Sequence, residues 1–250
     1  MLCHSLMLRL PALGGRGSCH AALASTRPDS TFGIDRMSPP AKTLLIWGAG
    51  GHAKVVADLA RESGWSIVGF LDEAPARHGQ VFYGSLILGG SSYLTSSDAD
   101  RSCQIIIAIG SNVVRDRCLM DALREGYTVP VLIHPAAVVS QTADLEPGTV
   151  VMAGAIIQAD TRIGPGGIIN TGASVDHDCV LGRCVHIAPG ARLTGQVQVG
   201  DHTLVGVGAV VIPRVRIGMK CTIGAGAAVI GDVLDGQTVA GVPAKSVSKS

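Results

Sequence analysis

The chain has 250 residues, enough for two small domains. Its 20 Lys+Arg stand against 19 Asp+Glu, so it lacks the basic surplus that nucleic-acid binding draws on, and no apolar run reaches the ~18 residues of a membrane span. Hydrophobic residues make up 47% but aromatics only 3%, beside 33 glycines, which suggests a thin, regular core of small aliphatics. The seven cysteines (Cys3, Cys19, Cys103, Cys118, Cys179, Cys184 and Cys221) show neither C-x-x-C nor zinc spacing, and they read as reduced thiols of a cytoplasmic protein without a metal.

Residues 1–41 carry Arg9, Arg16, Arg27 and Arg36 and no acid before Asp29. They read as an extension outside the fold, disordered or added upstream of a start at Met37. A transit peptide is the alternative, whereas Arg9 interrupts the apolar stretch that a signal peptide needs.

Residues 42–134 alternate strands and helices. A short apolar strand at 43–47 runs into Gly48-Ala49-Gly50-Gly51-His52-Ala53-Lys54 and an amphipathic stretch to about Ser63. A second strand from Ser66 to Leu71 ends at Asp72-Glu73, and a third from Ile105 to Ile109 closes on Gly110-Ser111-Asn112, before a helix over 113–126. This βαβ order predicts a Rossmann-like α/β unit with a parallel sheet. Gly48-x-Gly50-x-x-Ala53, with Asp72 about 20 residues on, matches the dinucleotide fingerprint. Three readings stand: NAD, another nucleotide diphosphate whose phosphates meet the same helix start, or a purely structural glycine turn.

From Val139 a step of six meets sixteen consecutive aliphatics: Val139, Leu145, Val151, Ile157, Ile163, Ile169, Val175, Leu181, Ile187, Leu193, Val199, Val205, Val211, Ile217, Ile223 and Val229. Four residues after each of the first fifteen stands a residue no larger than valine, such as Ala155, Cys179 or Ala209. A period of six fits neither an α-helix nor an alternating strand. It fits a triangular coil with one hexad per side, so that positions three hexads apart stack at strand spacing. The predicted β-helix spans 135–234, and 235–250 read as a C-terminal tail.

The hexads and the closing Ala240-Gly241-Val242-Pro243-Ala244-Lys245 resemble the hexapeptide-repeat acyltransferases. The order of strand, GAGGHAKVV, strand, FLDE, strand, AIGSN and repeats resembles one group within them over residues 43–245. These are the nucleotide-sugar acetyltransferases of the sialic acid O-acetyltransferase type, including the bacillosamine and perosamine N-acetyltransferases. The resemblance implies left-handed coils, a homotrimer with active sites between subunits, and acetyl-CoA as co-substrate. It implies that the N-terminal unit holds a nucleotide-linked amino sugar, with Gly50, Gly51, His52, Asp72, Glu73, Asn112 and Arg115 as binding candidates.

Direct acetyl transfer to an amine needs a base, oxyanion donors and alignment, but no nucleophilic side chain. His177 stands two residues after the inward Val175, hence on an outer face, between Asp176 and Asp178, which would raise its pKa. The resemblance makes it the general base with Asp178 as its partner, where the family has glutamate. Gly195 lies one full coil on, stacked on His177, with an N–H able to face a thioester oxygen. The resemblance makes His186 a coenzyme A contact and places Val207 and Ala225, themselves one coil apart, along the pantetheine; Lys245 can meet the 3′-phosphate. The expected activity is N-acetylation of a UDP- or GDP-linked 4-amino-4,6-dideoxy sugar. The alternatives are a sialic acid-type O-acetyltransferase, an NAD-dependent oxidoreductase and a non-catalytic trimeric scaffold.

Overall fold

The computed structural model describes residues 42–247; the reading of residues 1–41 lies outside them. The first part is a five-stranded sheet. Strand β1 (Lys42–Trp47) leads into helix α1 (Gly51–Glu62), followed by β2 (Trp65–Leu71), β3 (Val81–Phe82), β4 (Ser85–Gly89), β5 (Gln104–Ile107) and helix α2 (Asn112–Arg124). The sheet order is β3-β4-β2-β1-β5, parallel throughout except for the β3–β4 hairpin. Leu44, Leu45, Ile46, Ile105 and Ile106 form its dry centre, and α1 buries Ala53, Val56, Ala57, Leu59 and Ala60 against it. Gly48 ends β1 at φ +124°, and a Cβ there would sit 2.6 Å from the Ala108 carbonyl oxygen, so only glycine lets the ends of β1 and β5 close together.

The rest is a three-sided, left-handed parallel β-helix. Its short strands pair with the corresponding strands of the next coil, as Ile156–Ile157 do with Ser174–Val175. The first side stacks 138–139, 156–157, 174–175, 192–193, 210–211 and 228–229. The second stacks 144–145, 162–163, 180–181, 198–199 and 216–217. The third stacks 132–133, 150–151, 168–169, 186–187, 204–205, 222–223 and 238–240, closed by antiparallel 245–246. From Val151 onward all the step-of-six aliphatics are buried. The small position is the residue just before each strand, and there Thr161 and Thr203 bury hydroxyls that donate to the Asp176 and Gly218 carbonyls at 2.8 and 2.7 Å. Several corners put a non-glycine residue at left-handed φ, Asp178 at +57° among them; aspartate is one of the few types that tolerates this.

The β-helix differs at both ends from the 135–234 span. It starts at Leu132, inside the segment assigned to the N-terminal unit. It continues past 234, because Thr222–Ile223 pair with Thr238–Val239, where an unbroken step of six would have brought 240 and 241. That short last coil is why the repeat fades in the sequence before the solenoid ends.

The sheet unit rests on the third side. Val150, Met152 and Ile168 join its apolar core, Ser63 Oγ donates to the Ile133 carbonyl at 3.0 Å, and His134 Nε2 meets Glu62 at 2.9 Å. Helix α2 lies along the corner between second and third sides, where Asp116 takes both Arg183 (2.8 Å) and His202 (2.7 Å).

Candidate active site

A cavity of about 400 Å³ opens at the carboxyl ends of the parallel strands, lined by the loop Gly48–His52, by Leu71, Asp72 and Glu73, and by Ala108, Ile109 and Gly110. This is where an open α/β sheet binds nucleotides. A Cβ at Gly50 or Gly51 would touch nothing in the protein, so their backbone faces open space at the start of α1. Asp72 is pinned: its Oδ1 accepts from the Ala74 amide at 2.9 Å and its Oδ2 from Arg77 at 2.6 Å. Arg77 also donates to the Ala49 carbonyl at 2.9 Å and lies over the Phe82 ring, clasping the glycine loop to the end of β2. Glu73 accepts from the Ser91 amide and hydroxyl at 2.9 and 3.2 Å.

His52 borders the cavity and reaches back toward the β-helix. Its ring centroid is 6.5 Å from that of His186, whose Nε2 accepts from Asn170 Nδ2 at 3.0 Å. Burial pushes both imidazoles down to about 4, and the Arg115 charge adds to it in each case. Both are therefore neutral at pH 7, and His52 Nε2 is buried with no partner among the described residues. Asn170, Val207 and Ala225 share the corner between third and first sides. Val207 is 55% exposed, and the Gly226 amide donates to its carbonyl at 2.8 Å, which ties that corner to the next coil. The result is an exposed apolar strip leading from His186 toward the C-terminal end. Lys245 stands exposed on the last strand, its ammonium in no hydrogen bond or ion pair among the described residues.

His177 lies elsewhere, on the corner between first and second sides. Asp176 Oδ1 accepts from its amide at 2.9 Å, and Nδ1–H donates to Asp178 Oδ2 at 2.8 Å. Aspartate at 178 thus reaches the ring despite being shorter than glutamate. The hydrogen bond to Asp178 raises the His177 pKa, with the charges of Asp176 and Asp178 adding. Nε2 is left free above Gly195, so close that a Cβ on Gly195 would sit 2.5 Å from it. The Gly195 N–H donates to no acceptor among the described residues, while Gln196 N–H bonds the His177 carbonyl at 2.9 Å.

The remaining two sequence candidates do not border the cavity. Arg115 is fully buried, and all five of its N–H groups are taken by protein acceptors, so it has none left for a ligand. Asn112 donates to the His202 carbonyl at 2.9 Å and accepts from Arg115. Conversely, Arg77 and Asn170 were not singled out in the sequence. Arg77 stands in an irregular turn with no periodic signal, and Asn170 has only its place one residue after an inward isoleucine.

Residues 43–122 match the family described as the PglD N-terminal domain. The chain is 41% identical to the acetyltransferase domain of PglB from Neisseria gonorrhoeae FA1090, solved with acetyl coenzyme A; the match covers 82% of this chain and 99% of that one, with a TM-score of 0.78. It is 40% identical to PerB from Caulobacter crescentus, solved with CoA and GDP-perosamine, over 82% and 97% of the two chains with a TM-score of 0.77. WeeI from Acinetobacter baumannii AYE is 27% identical over 82% and 99%, with a TM-score of 0.75.

The chain belongs to the hexapeptide-repeat nucleotide-sugar acetyltransferase family. It is an acetyl-CoA-dependent acetyltransferase, and the bacillosamine and perosamine N-acetyltransferases are its group within that family. The dinucleotide fingerprint thus stands in an acetyltransferase. No helix among the described residues is long and apolar enough to cross a membrane.

Proposed function

We propose that the acetyltransferase transfers acetyl from coenzyme A to the amine of a nucleotide-linked 4-amino-4,6-dideoxy sugar, with His177 as general base. The observation that carries this reading is an exposed imidazole tied at Nδ1 to Asp178, with Nε2 free beside Gly195. Nε2 takes the proton as the sugar nitrogen attacks the thioester carbon, and gives it up to the sulfur as the C–S bond breaks, so coenzyme A leaves as the thiol and the imidazole is neutral again. The Gly195 N–H is free to meet the oxygen that becomes negative. The sugar's nucleotide belongs in the cavity beside Gly50, Gly51, Asp72 and Glu73, and GDP-perosamine in a protein of 40% identity supports that donor class. Coenzyme A fits the strip from His186 and Asn170 past Val207 and Ala225 to Lys245.

These parts cannot meet within one chain. In a triangular coil the corner bearing His177 lies opposite the third side, which carries the nucleotide cavity, His52 and His186. We take the first side as the surface for a second copy: Val138 and Val210 are exposed there on either side of Arg192, flanked by exposed Ile212 and Ile230, whereas the second side presents Asp144, Arg162, Gln198 and Arg216 around a single exposed aliphatic, Val180. A homotrimer lays His177 of one subunit beside the cavity and strip of the next.

The test is thiol release from acetyl-CoA with UDP- and GDP-linked 4-amino sugars and with hydroxyl acceptors. Turnover on an amine is expected to fall ~10²–10⁴-fold in His177→Ala. Unchanged turnover in that variant would end the base assignment, and transfer to hydroxyls alone would make the enzyme an O-acetyltransferase.

A further inference from the structure

Three carbonyls on the corner between second and third sides, those of Gly166, Cys184 and His202, occupy the same place on successive coils. All three residues have left-handed φ, at +69°, +51° and +60°, and none of the three carbonyls accepts from another backbone amide. The first turn of α2 takes them in order. Arg115 Nε donates to Gly166 O at 2.7 Å and a terminal nitrogen of Arg115 to Cys184 O at 2.8 Å; Asn112 Nδ2 donates to His202 O at 2.9 Å. The opposite edge of the same guanidinium donates to the carbonyls of Ile109 and Gly110 at 3.0 and 3.2 Å, and both of those residues line the nucleotide cavity. One planar group thus bonds the cavity wall on one edge and the β-helix backbone on the other.

This cation is 0% exposed, and no carboxylate among the described residues bonds it. Burying a charge without a counter-ion is costly, and an apolar side chain would commonly serve stability as well or better. Burial pulls Arg115 down to about 10, so it nevertheless stays charged at pH 7. What a flat, five-donor fork supplies and an apolar residue does not is a fixed geometry between its acceptors.

We propose that Arg115 is a positioning residue for acetyl transfer: it sets the offset between the nucleotide cavity and the acetyl-donor strip, so that a sugar anchored by its nucleotide presents its amine at the thioester. This rests on the reading that the nucleotide and coenzyme A are held by the two different parts of the chain. Group transfer between two anchored substrates is sensitive to displacements of about 1 Å, worth ~10²-fold in rate. Lysine keeps the charge but offers three donors from one point, and cannot hold five acceptors in a plane.

The experiment compares the wild-type enzyme with Arg115→Lys and Asn112→Ala, measuring kcat on the nucleotide-linked amino sugar, Tm, and the affinities for the nucleoside diphosphate alone and for coenzyme A alone. In Arg115→Lys kcat is expected to fall ~10²-fold while both affinities stay within about threefold of wild type. Asn112→Ala, which frees His202 O and one Arg115 donor, is expected to show the same pattern at about tenfold. Should Arg115→Lys fail to fold, Asn112→Ala decides alone. The proposal is overturned if kcat per folded enzyme is unchanged, or if nucleotide affinity falls in step with kcat, which would make the residue a builder of the cavity only. Failure of the wild type on every nucleotide-linked amine would instead sink the functional reading itself.

Discussion

Gly195→Ala separates catalysis from stability at one atom. The added methyl would lie 2.5 Å from His177 Nε2 and 2.6 Å from Cε1. Carbon contacts settle near ~3.5 Å, so the ring must retreat by about 1 Å. The backbone at 195 lies outside the left-handed region, and the obstructing group is the end of an exposed side chain that can swing away. The fold should scarcely register the change, with stability altered by no more than about 0.5 kcal/mol. The proposed base, however, is displaced from the position that Asp178 and the turn give it, and kcat should drop ~10²-fold with coenzyme A affinity kept. Steady-state thiol release together with calorimetry measures both halves. Gly206→Ala is the contrasting control: its Cβ would meet the Ile223 carbonyl oxygen at 2.5 Å and the Ala225 amide nitrogen at 2.8 Å, rigid backbone, and it should cost ~1–3 kcal/mol of stability. An alanine at 195 that left kcat within about twofold of wild type would refute the placement of Nε2 in the reaction.

Two further outcomes follow from the titrating groups. As the proposed base His177 would act when neutral, and its pKa is raised chiefly by the bond to Asp178, so kcat should rise with pH through a limb above the ordinary histidine value; Asp178→Asn should move that limb to lower pH, read from a kcat–pH profile. His52 and His186 are held near 4 when folded against 6.5 in the unfolded chain, so between those values the unfolded state binds more protons. Stability is then full above pH 6.5 and lost as the pH falls toward 4, by up to about 3 kcal/mol for either group, and His186→Gln should flatten that slope in urea melts.

The solenoid was legible because each inward aliphatic answers to a single geometric rule, and the stacking of Gly195 on His177 followed from the same count. The β3–β4 hairpin was not. Its strands are short, and its turn places Tyr83 and Gly84 at φ +46° and +88°, a two-residue reversal that usually advertises itself with Asn-Gly. The carboxylate at the end of β2 was recognisable from its distance to the glycine loop, but the Arg77 clasp that aims it comes from that unforeseen hairpin region. Arg115 shows the opposite failure. The family resemblance makes it a candidate for binding the nucleotide-linked sugar, and only the paths of three distant coils reveal where its donors go.

A stack of identical rungs has no reason of its own to stop, since each exposed end is a template for the next molecule. Here the final turn of the solenoid is cut short, and the chain then doubles back as the antiparallel strand Lys245–Ser246. That irregularity spoils the template. A closing strand that runs the other way offers no matching rung on which a second copy could stack in register.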